Sequence, residues 1–259
     1  MHYEHILTTS ADGLETITMN RPDRRNALSE AHMKELITAF RRAGDAPDTR
    51  AIILAANGPV FSAGHDFADM AERDLDGMRR LLAVCTELML TIQRLPQPIV
   101  ACVHALATAA GCQLVASCDL AVAAEDAGFA TPGGKGGWFC STPMIAVARA
   151  VGRKRALEMV LTGDAIDAHT ALAWGLVNRV VPRERVVAET EALARAASRG
   201  SLASKAVGKR AFYDTIDLDV EAAYTKACDV MATSAMTPDG REAMLSFLEK
   251  RPGVYPPRR

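Results

Sequence analysis

The sequence predicts an α/β core of layered, largely parallel strands, and three observations carry that reading. Short apolar β-like runs alternate with helix-period segments through the first half of the chain. The stretch Ile99–Cys118 contains no Asp, Glu, Lys or Arg. His104, Gln113 and a break of small residues fit a buried strand, turn and helix there better than a membrane span. The final third reads almost wholly as helices.

Taken in order, Ile6–Thr9 and Leu14–Met19 flank Ala11-Asp12-Gly13, and Asp-Gly signals a hairpin turn. Ser29 is a good N-cap, with Leu28 and Met33 placed to form a hydrophobic staple. Met33, Leu36, Ile37 and Phe40 follow helical spacing, and Gly44 is the expected stop. Ala51–Ala55 is a short buried strand leading into a loop over Gly58–Gly64. A helix over Leu81–Leu95 is closed by Pro96 and Pro98. Ile99–Val103 is a strand, a helix runs to about Ser117, and Leu120–Ala124 is the next strand. After the glycine-rich loop Gly133–Gly137, helices are expected over Arg153–Leu161, Ala168–Trp174, Arg183–Arg199, Lys205–Tyr213, Val220–Met231 and Arg241–Lys250. A strand over Val177–Val181 interrupts them.

With 259 residues, 49% hydrophobic and 24% charged, the chain suits one large domain or a core with an extension. Its net charge of −1 gives no general attraction to nucleic acid or an anionic membrane. The cysteines show no C-x-x-C spacing, so neither a disulfide framework nor a metal site is expected. Met1-His-Tyr-Glu-His-Ile lacks the form of a secretory signal, and a soluble cytoplasmic protein is the expectation.

The chemistry is concentrated in Leu106–Asp119. Ala107, Ala109, Ala110 and Gly111 precede an apolar helical run, so a ligand could closely approach main-chain N–H groups at a helix start. Such donors suit a developing oxyanion. Phe61-Ser-Ala-Gly-His-Asp66 is a second small-residue turn able to supply an opposing N–H.

These two segments, with Asn20-Arg-Pro, Asn26-Ala-Leu28, Leu161-Thr-Gly-Asp164, Ala171–Val177 and Phe247–Arg251, resemble the crotonase (enoyl-CoA hydratase/isomerase) superfamily in order along nearly the whole chain. Phe129–Gly133 and Phe139–Pro143 are most similar to its enoyl-CoA hydratase domain-containing protein 3 subgroup. The resemblance implies a spiral of strand–strand–helix repeats over residues 1–195 and a helical oligomerisation region over 196–259. It also implies an acyl-CoA ligand, no permanently bound cofactor, and a homotrimer or dimer of trimers.

Carried over position by position, the resemblance puts two thioester-binding amides at His65 and Ala110. Substrate-binding positions fall at Arg24, Arg25, Ala27, Ala63, His65, Asp66, Phe67, Ala110, Gly111 and Gly133. Phe247 and Lys250 would meet the adenine end of CoA in a neighbouring subunit. Where family hydratases have two glutamates, this chain has Gln113 and Gly133. Positioned acid/base groups typically contribute about 10²–10⁴-fold. Ordinary hydration is therefore disfavoured, and isomerase, decarboxylase or thioesterase chemistry replaces it as the expectation, the alternative being a catalytically silent acyl-CoA-binding or scaffold protein. Restoring both glutamates is expected to raise hydration.

Competing readings remain beside these. The His65 imidazole could act, although the residue is preferred for its backbone position. Gln113 could hold water or merely hydrogen-bond inside its helix. Cys140 and Ser141 have no assignable relay that would make either a nucleophile. Asp66, Asp69 and Glu72 read as helix-start acids facing solvent, and Lys135 as a solvated loop lysine. A nucleotide-phosphate site on Gly133–Gly137 lacks both required spacings.

Overall fold

The computed structural model describes residues 2–256. Asp12 and Gly13, with φ of 48° and 79°, turn β1 (Ile6–Ala11) into β2 (Leu14–Met19) as an antiparallel hairpin. Helix α1 (Glu30–Asp45) begins at Ser29, whose hydroxyl accepts from the His32 N–H. Met33, Leu36 and Phe40 on its inner face are wholly buried. Burial of side chains this large stabilises by about 1.5–3 kcal/mol each, which fixes α1 to the core.

Strand β3 (Ala51–Ala56) is followed by short helix α2 (Phe67–Met70) and long helix α3 (Leu75–Arg94). Helix α3 starts at Leu75 rather than Leu81 because Asp74 caps it, accepting from the Gly77 N–H. The expected stop at Gly44 is corrected as well. Helix α1 runs through Gly44, where a Cβ would lie 2.3 Å from Leu95 Cδ2 just beyond α3. Glycine is there for close approach and not for a turn.

Strand β4 (Ile99–Val103) is buried at every position, and β5 (Ala107–Thr108) and α4 (Ala110–Ser117) complete the charge-free stretch. No helix among the described residues is long and apolar enough to cross a membrane. Strands β6 (Leu120–Ala124) and β7 (Gly128–Ala130) with α5 (Pro143–Val151) repeat the strand–strand–helix unit. Helix α6 (Arg153–Thr162), β8 (Ile166–Asp167), α7 (Ala168–Trp174), β9 (Arg179–Val181) and α8 (Val186–Ala197) follow.

The main sheet has the order β1-β2-β3-β4-β6-β9, parallel except for the first hairpin. Successive strands add to one edge, so the sheet winds as a spiral with no reversal of strand order. A second sheet, β5-β7-β8, lies outside the sequence expectation. Its strands are too short to show a period of two. Helix α5 also went unread, although Pro143 sits in its first turn, where proline is compatible with a helix.

The chain ends in α9 (Leu202–Thr215), α10 (Val220–Ala235) and α11 (Pro238–Leu248). A partly buried cluster anchors α9: Asp119 accepts from Lys209 Nζ at 2.6 Å, Tyr213 OH at 2.9 Å and the Ile99 N–H at 2.7 Å. Helix α10 buries no residue, and Tyr224, Met231, Phe247 and Leu248 are exposed.

Candidate active site

Two turns meet beside the sheet and open into a cavity of about 530 Å³. The Phe61 N–H donates to Leu106 O at 2.9 Å, and the Thr108 N–H to Ser62 O at 2.9 Å, so the turns run side by side. Glycine permits the contact. A Cβ at Gly111 would lie 2.6 Å from Ser62 O, and one at Gly64 would lie 3.0 Å from Thr108 O and 3.2 Å from Ala110 N. Gly64 also has φ of +86°. Ala109, with φ 50° and ψ −119°, is held in a conformation that costs a side-chain-bearing residue about 1–3 kcal/mol. Its own N–H is fixed on Ala130 O at 2.9 Å.

His65 and Ala110 both line the cavity. Three amides around them are spent: Gly64 N–H on Ser62 Oγ, Asp66 N–H on Leu28 O and Ala109 N–H on Ala130 O. The amides of His65 and Ala110 have no acceptor among the described residues. Ala110 is the first residue of α4, so its N–H also lies at the positive end of a helix.

The His65 ring lies beside Trp138, with centroids 6.2 Å apart and planes at 43°. Neither ring nitrogen is reached by solvent or hydrogen-bonded within the described residues. Burial pushes the imidazole pKa down, and the nearby Leu28 carbonyl only partly offsets this without hydrogen-bonding the ring.

Gln113 lies elsewhere. It is buried against α3, where its Oε1 accepts from the Cys85 thiol at 3.9 Å, and it does not line the cavity. Gly133 does line it, but a Cβ there would lie 2.2 Å from Trp138 O and 2.9 Å from Cys140 Sγ. The expected gain from Gly133→Glu is thereby corrected: the position has no room for a side chain. Cys140 Sγ accepts from the Gly133 N–H at 3.3 Å, and burial raises its thiol pKa. Cys102, Cys112 and Cys118 are buried packing residues.

Among the described residues, no carboxylate lines the cavity. The Asp66 carboxylate faces Arg21 at 3.1 Å and caps α2 through the Ala68 N–H, also at 3.1 Å. Asp69 accepts from the Glu30 N–H at 2.7 Å and from Arg73 at 2.9 Å. The reading of these two acids as solvent-facing is corrected; Glu72 is exposed. Lys135 pairs with Asp164.

Arg24 and Arg25 are exposed and make no ion pair among the described residues. Their turn is tied to the cavity by the Ala63 N–H, which donates to Arg25 O at 3.0 Å. Asn26, wholly buried with φ of 51°, holds that turn by donating to Asn57 O at 2.7 Å and Val60 O at 3.1 Å. Ala27 is partly buried in the same turn, whereas Ala63 and Phe67 are exposed and line the cavity. Phe247 and Lys250 are exposed and do not line it. Sequence reasoning missed Arg21 and the aromatic wall of Trp138 and Phe139. The signal for that wall was an aromatic pair directly after Gly136-Gly137.

The sequence profile described as Enoyl-CoA hydratase/isomerase matches residues 9–257. Enoyl-CoA hydratase domain-containing protein 3, mitochondrial, of Mus musculus is 43% identical over 249 residues, covering 96% of this chain and 83% of that protein. The crystal structure of the human protein of that name shares 41% identity at a TM-score of 0.93, covering 97% of this chain and 100% of that one. An enoyl-CoA hydratase structure from Mycobacterium smegmatis shares 46% identity at a TM-score of 0.93, covering 97% and 98%. The expectation of a cytoplasmic location is overturned, since the mouse, rat and human relatives are all named mitochondrial. The ordered motifs, the spiral fold and these likenesses converge: the chain belongs to the enoyl-CoA hydratase/isomerase family, in the enoyl-CoA hydratase domain-containing protein 3 subgroup of the crotonase superfamily.

Proposed function

We propose that the chain is an enzyme that binds an acyl-CoA thioester and polarises its carbonyl between the N–H groups of His65 and Ala110. The observation that carries this reading is the pair of acceptor-less amides on turns that Gly64 and Gly111 allow to touch. Each such donor stabilises a developing oxyanion by about 2.7–4 kcal/mol. Arg24 and Arg25, exposed on the turn that Ala63 ties to the cavity, would meet CoA phosphates, for which guanidinium geometry is suited. CoA enters as part of the substrate, with no resident cofactor.

A cavity lined by no carboxylate disfavours ordinary hydration, leaving isomerisation, decarboxylation or thioester hydrolysis. Phe247 and Lys250 would reach a ligand only across a subunit boundary. The exposed apolar surface of α10 and α11 supports a homotrimer or dimer of trimers, with 196–259 as the oligomerisation region and 1–195 as the core.

A single-turnover assay over an acyl-CoA panel, with binding measured in parallel, tests the reading. At least one thioester should turn over. Ala110→Pro, which removes the amide donor, should slow that reaction by about 10²–10³-fold in protein that circular dichroism shows to be folded. Tight binding without turnover would instead favour a catalytically silent acyl-CoA binder, the second reading that the missing carboxylates support.

A further inference from the structure

The cavity lining holds two side chains able to exchange a proton near neutrality, His65 and Cys140. Cys140 is excluded by its surroundings: its sulfur is engaged by the Gly133 N–H and its thiol is held protonated by burial. Thr108, Ser141 and Thr142 add only hydroxyls. His65 is different, because both ring nitrogens are buried without a partner among the described residues. The indole of Trp138 lies beside the ring and also contacts Phe67, with centroids 6.1 Å apart.

The loop carrying Trp138 has a fixed base and a free tip. Gly133 is wedged against Trp138 O, and a Cβ at Gly134 would lie 2.4 Å from Val160 O. Gly137 has nothing within 4 Å of a Cβ, and Gly136 has only Gly133 O at 3.8 Å. The chain can therefore turn at Gly136-Gly137 without disturbing packing, taking a half-exposed indole with it.

We propose that the His65 imidazole exchanges a proton with the α-carbon of the bound acyl thioester, and that Trp138 covers the ring until the acyl group displaces it. This rests on the thioester-binding reading above. The amide and the imidazole belong to one residue that lines the cavity, and in this proposal the carbonyl held by the His65 N–H presents its α-carbon to that residue's ring once the indole is displaced. A ring nitrogen takes the α-proton, and the C–H electron pair becomes the enolate C=C bond. The carbonyl π pair moves onto the oxygen held by the two amides. Return of the proton to the α-carbon, or to the γ-carbon of an unsaturated chain, restores the neutral ring. Apolar walls of Phe67, Leu82, Trp138 and Phe139 fit an uncharged acyl chain bearing an α-hydrogen.

The groups facing the ring are Trp138, the Leu28 carbonyl and, in the same cavity, Cys140; the adjacent Asp66 is paired with Arg21. With no charge beside it, the imidazole stays neutral through neutral pH, the form a base requires.

The test is deuterium incorporation at the α-carbon of hexanoyl-CoA in D₂O, followed by NMR on the full chain. Exchange is expected, with an acid limb below the ordinary histidine range. His65→Gln, which keeps the backbone amide, should lower the exchange rate by about 10²-fold or more while the Kd changes little. In a Trp174→Phe background, Trp138 emission should shift when hexanoyl-CoA binds, and unchanged emission on binding overturns the displacement of the indole. Binding with no exchange, or undiminished exchange in folded His65→Gln, overturns the proposal and leaves the thioester-binding reading standing. Failure of hexanoyl-CoA and the rest of the acyl-CoA panel to bind overturns both.

Discussion

Gly64 and Gly111 on one side of the cavity have no room for a methyl group, whereas Gly137 on the other side has open space around it. The first wall is two main-chain turns in direct contact, laced by hydrogen bonds from Phe61 and Thr108 and held by the strained Ala109. The second is a glycine loop whose base is pinned by Gly133 and Gly134 and whose aromatic tip is not. One residue type thus serves opposite ends. It lets backbones close on one another in one wall, and it leaves the chain room to turn in the other.

Acid should have the largest effect, through the turn to which the Ala63 N–H ties the fixed wall. His32 is wholly buried against that turn, its Nδ1–H donating to Ala27 O at 3.2 Å while Nε2 has no partner among the described residues. Burial lowers its pKa from 6.5 to about 4. The unfolded chain therefore binds more protons between those values, so stability falls as the pH drops through that window. The loss reaches roughly 3 kcal/mol below it. Urea midpoints against pH should show this slope in the wild type and lose most of it in His32→Gln. Equal slopes would remove His32 as the cause.

Substituting the packed glycines comes next. Gly64→Ala and Gly111→Ala should each destabilise by about 1–3 kcal/mol and weaken acyl-CoA binding, because the methyl group meets backbone that cannot yield. Calorimetric melting reads this directly, and wild-type melting for both would mean that the turns are not in contact. Gly133→Glu belongs with them, displacing Trp138 and adding no hydration. The smallest effect is expected at the tip, where Gly137→Ala should change stability by less than about 0.5 kcal/mol. A large loss there would show the loop to be packed and would abolish the contrast between the walls.

Much of this architecture was legible in advance. Asp12-Gly13, the Met33–Phe40 spacing and the charge-free Ile99–Cys118 stretch each act through neighbours in sequence, so local pattern suffices. Gly44 misled because a glycine in a close helix crossing looks, in one dimension, like a helix stop. The acids at Asp66 and Asp69 misled for a related reason: their partners Arg21 and Glu30 lie far away along the chain. Gln113 and Gly133 were found as substitutions, but their surroundings were not. One faces Cys85 across a helix pair, and the other is closed off by its own loop.

By itself, then, the sequence determined most of the helices and the longer strands, the two small-residue turns and the order of motifs that marks the family. These depend on periodicity and on backbone freedom, both properties of short segments. Only the tertiary structure decided that the two turns touch, that among the described residues the amides of His65 and Ala110 have no acceptor and the His65 imidazole no hydrogen-bond partner, and that Trp138 lies beside that ring. Those facts depend on which distant atoms arrive at the same place, and no local pattern encodes that.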